Sequence, residues 1–177
     1  MQSLIQDLLA FSRVGRQETA LKITDCNEIV GQAMRDLQAA ILESGAVVTY
    51  GQLPRLMASS SQLKQVFQNL IANGLKFRRS EPPVIRISAE RRGPDWIFSV
   101  ADNGIGISAE HAESIFIIFN RLHTRTEYPG NGIGLAISKK IIERHGGTIQ
   151  AIPNQGGGAT FRFTLPVGKF ADRQDPE

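Results

Sequence analysis

The sequence predicts an α/β two-layer sandwich, a mixed β-sheet with helices packed on one face. Three observations carry this. Runs with apolar residues at helical spacing are interspersed with runs that alternate apolar and polar residues. Two alternating runs, "VIRISAERR" (84–92) and "DWIFSVAD" (95–102), are separated only by Gly93-Pro94 and read as a hairpin. The longest helical run, 60–78, is apolar along one face only, so it needs one covering surface, which an open sheet provides.

Each element follows from local chemistry. Residues 1–13 set Leu4, Ile5, Leu8, Leu9 and Phe11 at helical spacing, on a segment too short to be stable alone. It therefore asks for a partner helix, and "RVGRQ" after it reads as a linker. "LKIT" (21–24) is a strand. Asp25 or Asn27 then caps a helix running to about Glu43, with Gly45 as its C-cap. "AVVTY" (46–50) and "RLMA" (55–58) are short strands around "GQLP". Ser59 to Ser61 cap the helix over 60–78, and "SEPP" stops it. After the hairpin comes the glycine loop "DNGIGI" (102–107), then a helix from Ser108 to about Phe116. "NRLHTRTEYPGNG" (120–132) is a polar loop. "IGLAISKKIIERHGG" (133–147) is a helix ended by glycines, with His145 suited as a cation to its C-terminus. "TIQAI" and "ATFRFTLP" are the last strands, and "GKFADRQDPE" is a tail.

Composition narrows the function classes. A chain of 177 residues suffices for one domain and a short attached element. Net charge is only +3, no basis for nucleic-acid or direct membrane binding. A single cysteine, Cys26, excludes an intrachain disulfide and a cysteine-cluster metal site. No apolar run approaches the ~20 residues of a membrane span. "MQSLIQDLLAF" lacks the basic start and small-residue cleavage site of a signal peptide, so a cytoplasmic location is expected.

One helix carries an unusual polar strip. At about 100° per residue, with Asn69 as zero, Asn73 falls near 40° and Lys76 near −20°. They border the stripe of Leu63, Val66, Phe67, Leu70, Ile71 and Phe77. Two amides a turn apart carry a small helical cost. The strip is either a solvated face or a row of oxygen ligands and a cation for a metal and a phosphate. Two glycine loops bear on the choice. Asp102-Asn103-Gly104-Ile105-Gly106 follows a strand, and Gly130-Asn131-Gly132-Ile133-Gly134-Leu135 opens a helix, whose free N–H groups suit phosphate. Neither fits the dinucleotide fingerprint, and no GxxxxGK[ST] loop occurs.

"QVFQNLIANGLKF", "DNGIGI", "IFIIFNRLH", "GNGIGLAISKKIIERHGG" and "GATFRFTLP" occur in the order and spacing of the N, G1, F, G2 and G3 boxes. The sequence thereby resembles the ATP-binding catalytic domain of two-component sensor histidine kinases, with a phytochrome-type flavour, over residues 1–167. The resemblance implies the Bergerat fold, shared with gyrase and MutL-type ATPases. It implies ATP and Mg²⁺ as cofactors. Asn73, helped by Asn69, would hold the Mg²⁺. Lys76 would reach a terminal phosphate oxygen, and Arg121 would stabilise the departing γ-phosphoryl, the two catalytic cations. Phe77 would stack near the adenine, and Asp102 would accept from its amino group. Gly104 and Gly106 would shape the base pocket, with Ile107 beside it. Gly130, Gly132, Gly134 and Leu135 would wrap the phosphates beneath a lid of residues 117–131, and Thr160 would sit near the base.

By the same resemblance, residues 1–18 are the end of a dimerization and phosphoacceptor helix plus linker, 19–168 the catalytic domain, and 169–177 a tail. Neither His111, His123 nor His145 has the context of a phosphoacceptor. That histidine is expected upstream of Met1, making this chain a fragment, a monomer or weak dimer. Its partners would be ATP or ADP, the phosphoacceptor domain and a downstream response regulator. Two alternatives stay open. A gyrase-like ATPase needs a general base where Asn69 stands, and an amide cannot take that proton. A degenerate binding module is suggested by Ile117-Ile118 in the F box, Gly74 in place of Ala and Asn131 in place of Thr or Ser.

Overall fold

The computed structural model describes Leu9, Phe11, Ser12, Val14, residues 20–120 and residues 132–167. Arg121, Gly130 and the tail 169–177 lie outside the described residues, as does most of the lid segment.

The described elements are β1 (Lys22–Asp25), α1 (Cys26–Asp36), α2 (Gln38–Ser44), β2 (Val47–Tyr50), β3 (Arg55–Ala58) and α3 (Ser60–Lys76). They continue with β4 (Val84–Arg92), β5 (Asp95–Asp102), α4 (Gly134–Arg144), β6 (Ile149–Pro153) and β7 (Ala159–Pro166). The main sheet has the order β2-β4-β5-β7-β6. The β2–β4 pair is parallel and the others are antiparallel, which makes the sheet mixed. β1 and β3 pair antiparallel in a separate small sheet, a pairing that the short runs did not reveal.

The sheet alternates as its sequence does. Ile85, Ile87, Phe98, Val100, Phe161, Phe163 and Leu165 are buried, while Arg86, Ser88 and Glu90 are exposed. α3 lays Leu63, Val66, Phe67, Leu70 and Ile71 on the buried face. Phe98 and Phe163 stack at 4.9 Å between centroids, and Phe67 meets both edge-on at 6.0 and 5.7 Å. Such pairs add about 0.5–1.5 kcal/mol beyond their area burial. This aromatic knot fixes α3 against β5 and β7, the two strands whose ends build the site.

Helix ends are tied together as well. The Ser59 hydroxyl accepts from Gln62 N–H at 3.4 Å and caps α3. The Ser59 N–H donates to His145 Nε2 at 3.1 Å, and His145 Nδ1 lies 2.8 Å from the Ile141 carbonyl. Both ring nitrogens are thus engaged with backbone groups. His145 therefore joins the C-terminus of α4 to the start of α3.

Two expectations are corrected. The helix expected to reach Glu43 breaks at Leu37 (φ −100, ψ 7). α1 buries Cys26, Ile29, Val30 and Ala33, whereas α2 has no fully buried residue and meets the core through the partly buried Ile41. The helix expected over 108–116 is two 3₁₀ turns, Ala109–His111 and Ser114–Phe116. The Ser108 hydroxyl pairs with His111 Nδ1 at 2.6 Å and caps no backbone N–H. Only i→i+3 backbone bonds form there.

Of the N-terminal residues described, Phe11 and Val14 dock on the body of the domain. Val14 is buried and Phe11 packs against the core. Lys140 Nζ donates to the Phe11 carbonyl at 3.1 Å and sits 4.1 Å above its ring. The Arg144 guanidinium bonds the Val14 carbonyl. Both cations belong to α4.

Candidate functional site

Asp102 ends β5 and occupies the centre of the site. Its Oδ1 accepts from Gly104 N–H at 2.8 Å and from Ala159 N–H at 3.3 Å. Its Oδ2 has no hydrogen-bond partner among the described residues. Burial pushes the Asp102 carboxyl above the usual carboxylate range, and the bonds from Gly104 and Ala159 draw it partly back. The result is a half-buried carboxylate with one oxygen locked and one free to accept from a ligand.

Three segments close around it. The first is the end of α3, where the Phe77 carbonyl accepts from Ile105 N–H at 2.9 Å. The second is the loop after β5. A Cβ on Gly104 would stand 2.2 Å from the Phe77 oxygen, so only glycine fits. The third is the turn between β6 and β7. Gly158 has φ +82, and a Cβ there would stand 1.9 Å from the Asp102 carbonyl oxygen. Gly106 faces the Gly158 carbonyl. Asn103 staples the second segment down: its Oδ1 accepts from Val84 N–H at 2.7 Å and its Nδ2 donates to the Pro82 carbonyl at 3.2 Å.

The polar strip of α3 borders this pocket. Asn69 Nδ2 donates to the Gly134 carbonyl at 2.9 Å and to Ser138 Oγ at 3.2 Å. Both amide protons are thus spent on the first turn of α4, which fixes the side chain and leaves Oδ1 as an acceptor. The Asn73 amide makes no hydrogen bond with the described residues. Lys76 Nζ rests 4.6 Å from the centre of the Phe77 ring. Asn69, Asn73, Lys76 and Phe77 are all half-buried, as a strip at the edge of a packed face should be.

The structure thus brings Asp102, Gly104, Gly106 and Phe77 together, and joins Asn69 to Gly134. Gly132 (φ +71) stands before α4, and Ile107 and Leu135 pack partly buried against the core. Thr160 pairs with Ala101, so its side chain leaves the sheet on the face opposite to that of Asp102. Its hydroxyl donates to Asn154 Oδ1 at 2.7 Å, and Asn154 Nδ2 donates to the Asp102 carbonyl at 3.3 Å. Thr160 thus reaches the pocket only through Asn154. Asn154, Gly158 and Ser138 also touch the candidate site, and sequence reasoning did not single them out. The glycine run "GGGAT" was the one signal for the second of them.

Comparison with known proteins bears on this geometry. Residues 58–169 match the family model described as histidine kinase-, DNA gyrase B- and HSP90-like ATPase. The chain is 53% identical over 168 residues to cyanobacterial phytochrome A of Nostoc sp., covering 95% of this chain and 22% of that protein. It is 51% identical over 168 residues to the phytochrome-like protein Cph1 of Synechocystis sp., again covering 95% and 22%. This chain therefore spans about a fifth of these relatives' length. Among solved structures, full-length ShkA in complex with AMPPNP superposes with a TM-score of 0.79 at 29% identity, covering 93% of this chain and 35% of that one.

Proposed function

The chain belongs to the histidine kinase-, DNA gyrase B- and HSP90-like ATPase family, and from that premise we propose that it is the ATP-binding catalytic domain of a sensor histidine kinase. It transfers the γ-phosphoryl of ATP to a histidine on a phosphoacceptor domain, from which a response regulator is charged. The observation that carries the reading is Asp102, with Oδ1 held by two backbone N–H groups and Oδ2 open in a pocket walled by glycine backbone. A fixed acceptor of this kind selects a purine bearing an amino group. Phe77 supplies an apolar face beside the base. The mouth of α4 presents backbone N–H groups to phosphate.

The residues fit a bound Mg²⁺. The donors on α3 are neutral amides; among the described residues Asn73 has no competing hydrogen bond and Asn69 Oδ1 has none either. No cluster of three His, Cys, Asp or Glu occurs among the described residues. Neutral oxygens suit a hard cation whose charge is met by a triphosphate. Bound there, Mg²⁺ would neutralise charge on the phosphate oxygens. Lys76 and Arg121 would add positive charge where the γ-phosphoryl leaves, since phosphoryl transfer asks mainly for positioning and charge stabilisation.

Asn69 favours transfer over hydrolysis. Its amide protons are committed to α4 and its oxygen cannot remove a proton from water at neutral pH. An imidazole acceptor needs no such base: its ring nitrogen attacks phosphorus as the bond to the β–γ bridging oxygen breaks and ADP leaves. The proposed setting is cytoplasmic; among the described residues no helix is long and apolar enough to cross a membrane. The test is incubation with γ-labelled ATP and a separately produced phosphoacceptor domain. Acid-labile label on that domain, outpacing release of free phosphate, is the expected result. Free phosphate with no labelled acceptor would favour the ATPase reading.

A further inference from the structure

The loop between β6 and β7 is held from outside by a residue that neither the pocket nor the phosphate site has used. Arg79 lies just beyond the end of α3. Its Nη1 donates to the Gly156 carbonyl at 3.3 Å. Its guanidinium also sits close against Gly157: a Cβ there would fall 1.8 Å from Nη2 and 2.3 Å from Cζ. Gly157 has φ +112, a conformation that side chains rarely adopt, so the fold of the loop demands glycine, and a Cβ there would also push the guanidinium aside.

The loop under Arg79 is the one that orients Asp102. Gly157 N–H donates to the Asn154 carbonyl, and Asn154 N–H to the Gly158 carbonyl, so 154–158 is a tight turn. From that turn Gly158 packs on the Asp102 carbonyl, Asn154 donates to it, and Ala159 N–H holds Oδ1. Two residues before Arg79, the Phe77 carbonyl takes the N–H of Ile105 from the loop after β5. Arg79 thus completes a ring: end of α3, loop after β5, Asp102, loop before β7, and back to α3. We propose that Arg79 is a positioning residue for the base pocket, latching the β6–β7 glycine loop to the end of α3 so that Asp102 Oδ2 keeps its aim at the purine 6-position. Arginine suits the task because a planar guanidinium can lie across a bare peptide while donating in its own plane. Lysine can donate to Gly156 but cannot cover Gly157.

This inference rests on the adenine-pocket reading, so the experiment separates the two. ADP and IDP, which differ in an amino or oxo group at the 6-position, are titrated calorimetrically into wild type, Arg79→Ala, Arg79→Lys, Gly157→Ala and the Arg79→Ala/Gly157→Ala double variant. Asp102→Ala serves as the control, and thermal melts confirm folding. The expected result is a roughly tenfold loss of ADP affinity in Arg79→Ala, with a smaller effect on IDP, so that the preference for ADP narrows. Arg79→Lys recovers part of it. Arg79→Ala adds little to Gly157→Ala, because the alanine has already displaced the guanidinium. A folded Arg79→Ala variant that keeps the wild-type preference overturns the latch, provided that Asp102→Ala abolishes that preference. If Asp102→Ala also keeps it, or wild type binds neither nucleotide, the pocket reading falls and the latch with it. A merely structural arginine would lower the melting temperature and leave the preference unchanged, which also counts against the proposal.

Discussion

At the scale of single residues, the site depends on a carboxylate held where burial disfavours its charge. The folded-state pKa of Asp102 is raised by burial, above an unfolded value near ~3.9. Between the two values the folded form holds the extra proton. The nucleotide-free domain is therefore favoured by this group at low pH, and that contribution is lost as pH rises through the folded value. Nucleotide binding runs the other way, since an amino group needs the ionised acceptor. ADP affinity should thus rise with pH through the Asp102 titration, and Asp102→Asn should flatten that dependence. The asparagine should raise the melting temperature of the nucleotide-free protein at neutral pH while weakening ADP binding about tenfold or more; a calorimetric titration series across pH reads both. Asn73→Asp should weaken Mg-nucleotide binding, because a charged ligand replaces a neutral one beside the triphosphate. Unchanged binding would remove Asn73 from the metal site. Asp102, Asn69 and Asn73 could be singled out as candidates from the sequence because a strand end before glycines, and amides at i and i+4 on an apolar helix, are unusual. Asn154 was not, because an asparagine in a turn has an ordinary local role and its bond to Asp102 crosses 52 positions.

Among elements, α3 shows how packing can override propensity. Gly74, in the last turn of α3, costs up to ~1 kcal/mol relative to alanine by helix propensity. In the structure a Cβ at Gly74 would stand 2.7 Å from Ile85 Cδ1 and 3.4 Å from Asp102 Cβ. Glycine lets α3 approach β4 beside the base pocket. Gly74→Ala should therefore give no net gain and destabilise by about 1 kcal/mol, since overpacking costs ~1–3 kcal/mol. Ile85→Val in the same background should recover part of the loss; urea unfolding measures both. The strongly periodic elements, α3, α4, β4, β5 and β7, were readable to within a few residues, because one buried face imposes one period. The 3₁₀ turns at 109–116 were not, since Ile115 and Phe116 anchor the segment by burial whatever its backbone type. The β1–β3 pair was also invisible: four-residue strands name no partner, and their register is set by tertiary contact.

On the scale of the whole molecule, the two loops that flank Asp102 leave strands tied by one aromatic knot. Phe98→Ala, which empties the stacked pair with Phe163, should cost ~3–5 kcal/mol and weaken nucleotide binding in the folded fraction only slightly. Chemical denaturation beside calorimetry separates these effects. Among the described residues, exposed large apolars such as Leu42 (72%) on α2 and Ile23 (62%) on β1 lie on separate elements, so a sedimentation mass near one chain is expected. The sandwich itself was legible because alternation and helical spacing fix which faces are apolar. The docking of Phe11 and Val14 on α4 was not, since it depends on two lysine and arginine contacts to backbone carbonyls. The central claim is a Mg-dependent adenine-nucleotide pocket built around Asp102. The most direct test is calorimetric titration of the chain with ADP and a non-hydrolysable ATP analogue, with and without Mg²⁺. Saturable one-to-one binding, tighter with Mg²⁺ for the triphosphate, is the predicted result. No binding up to about millimolar, weaker than roughly 4 kcal/mol, would contradict it.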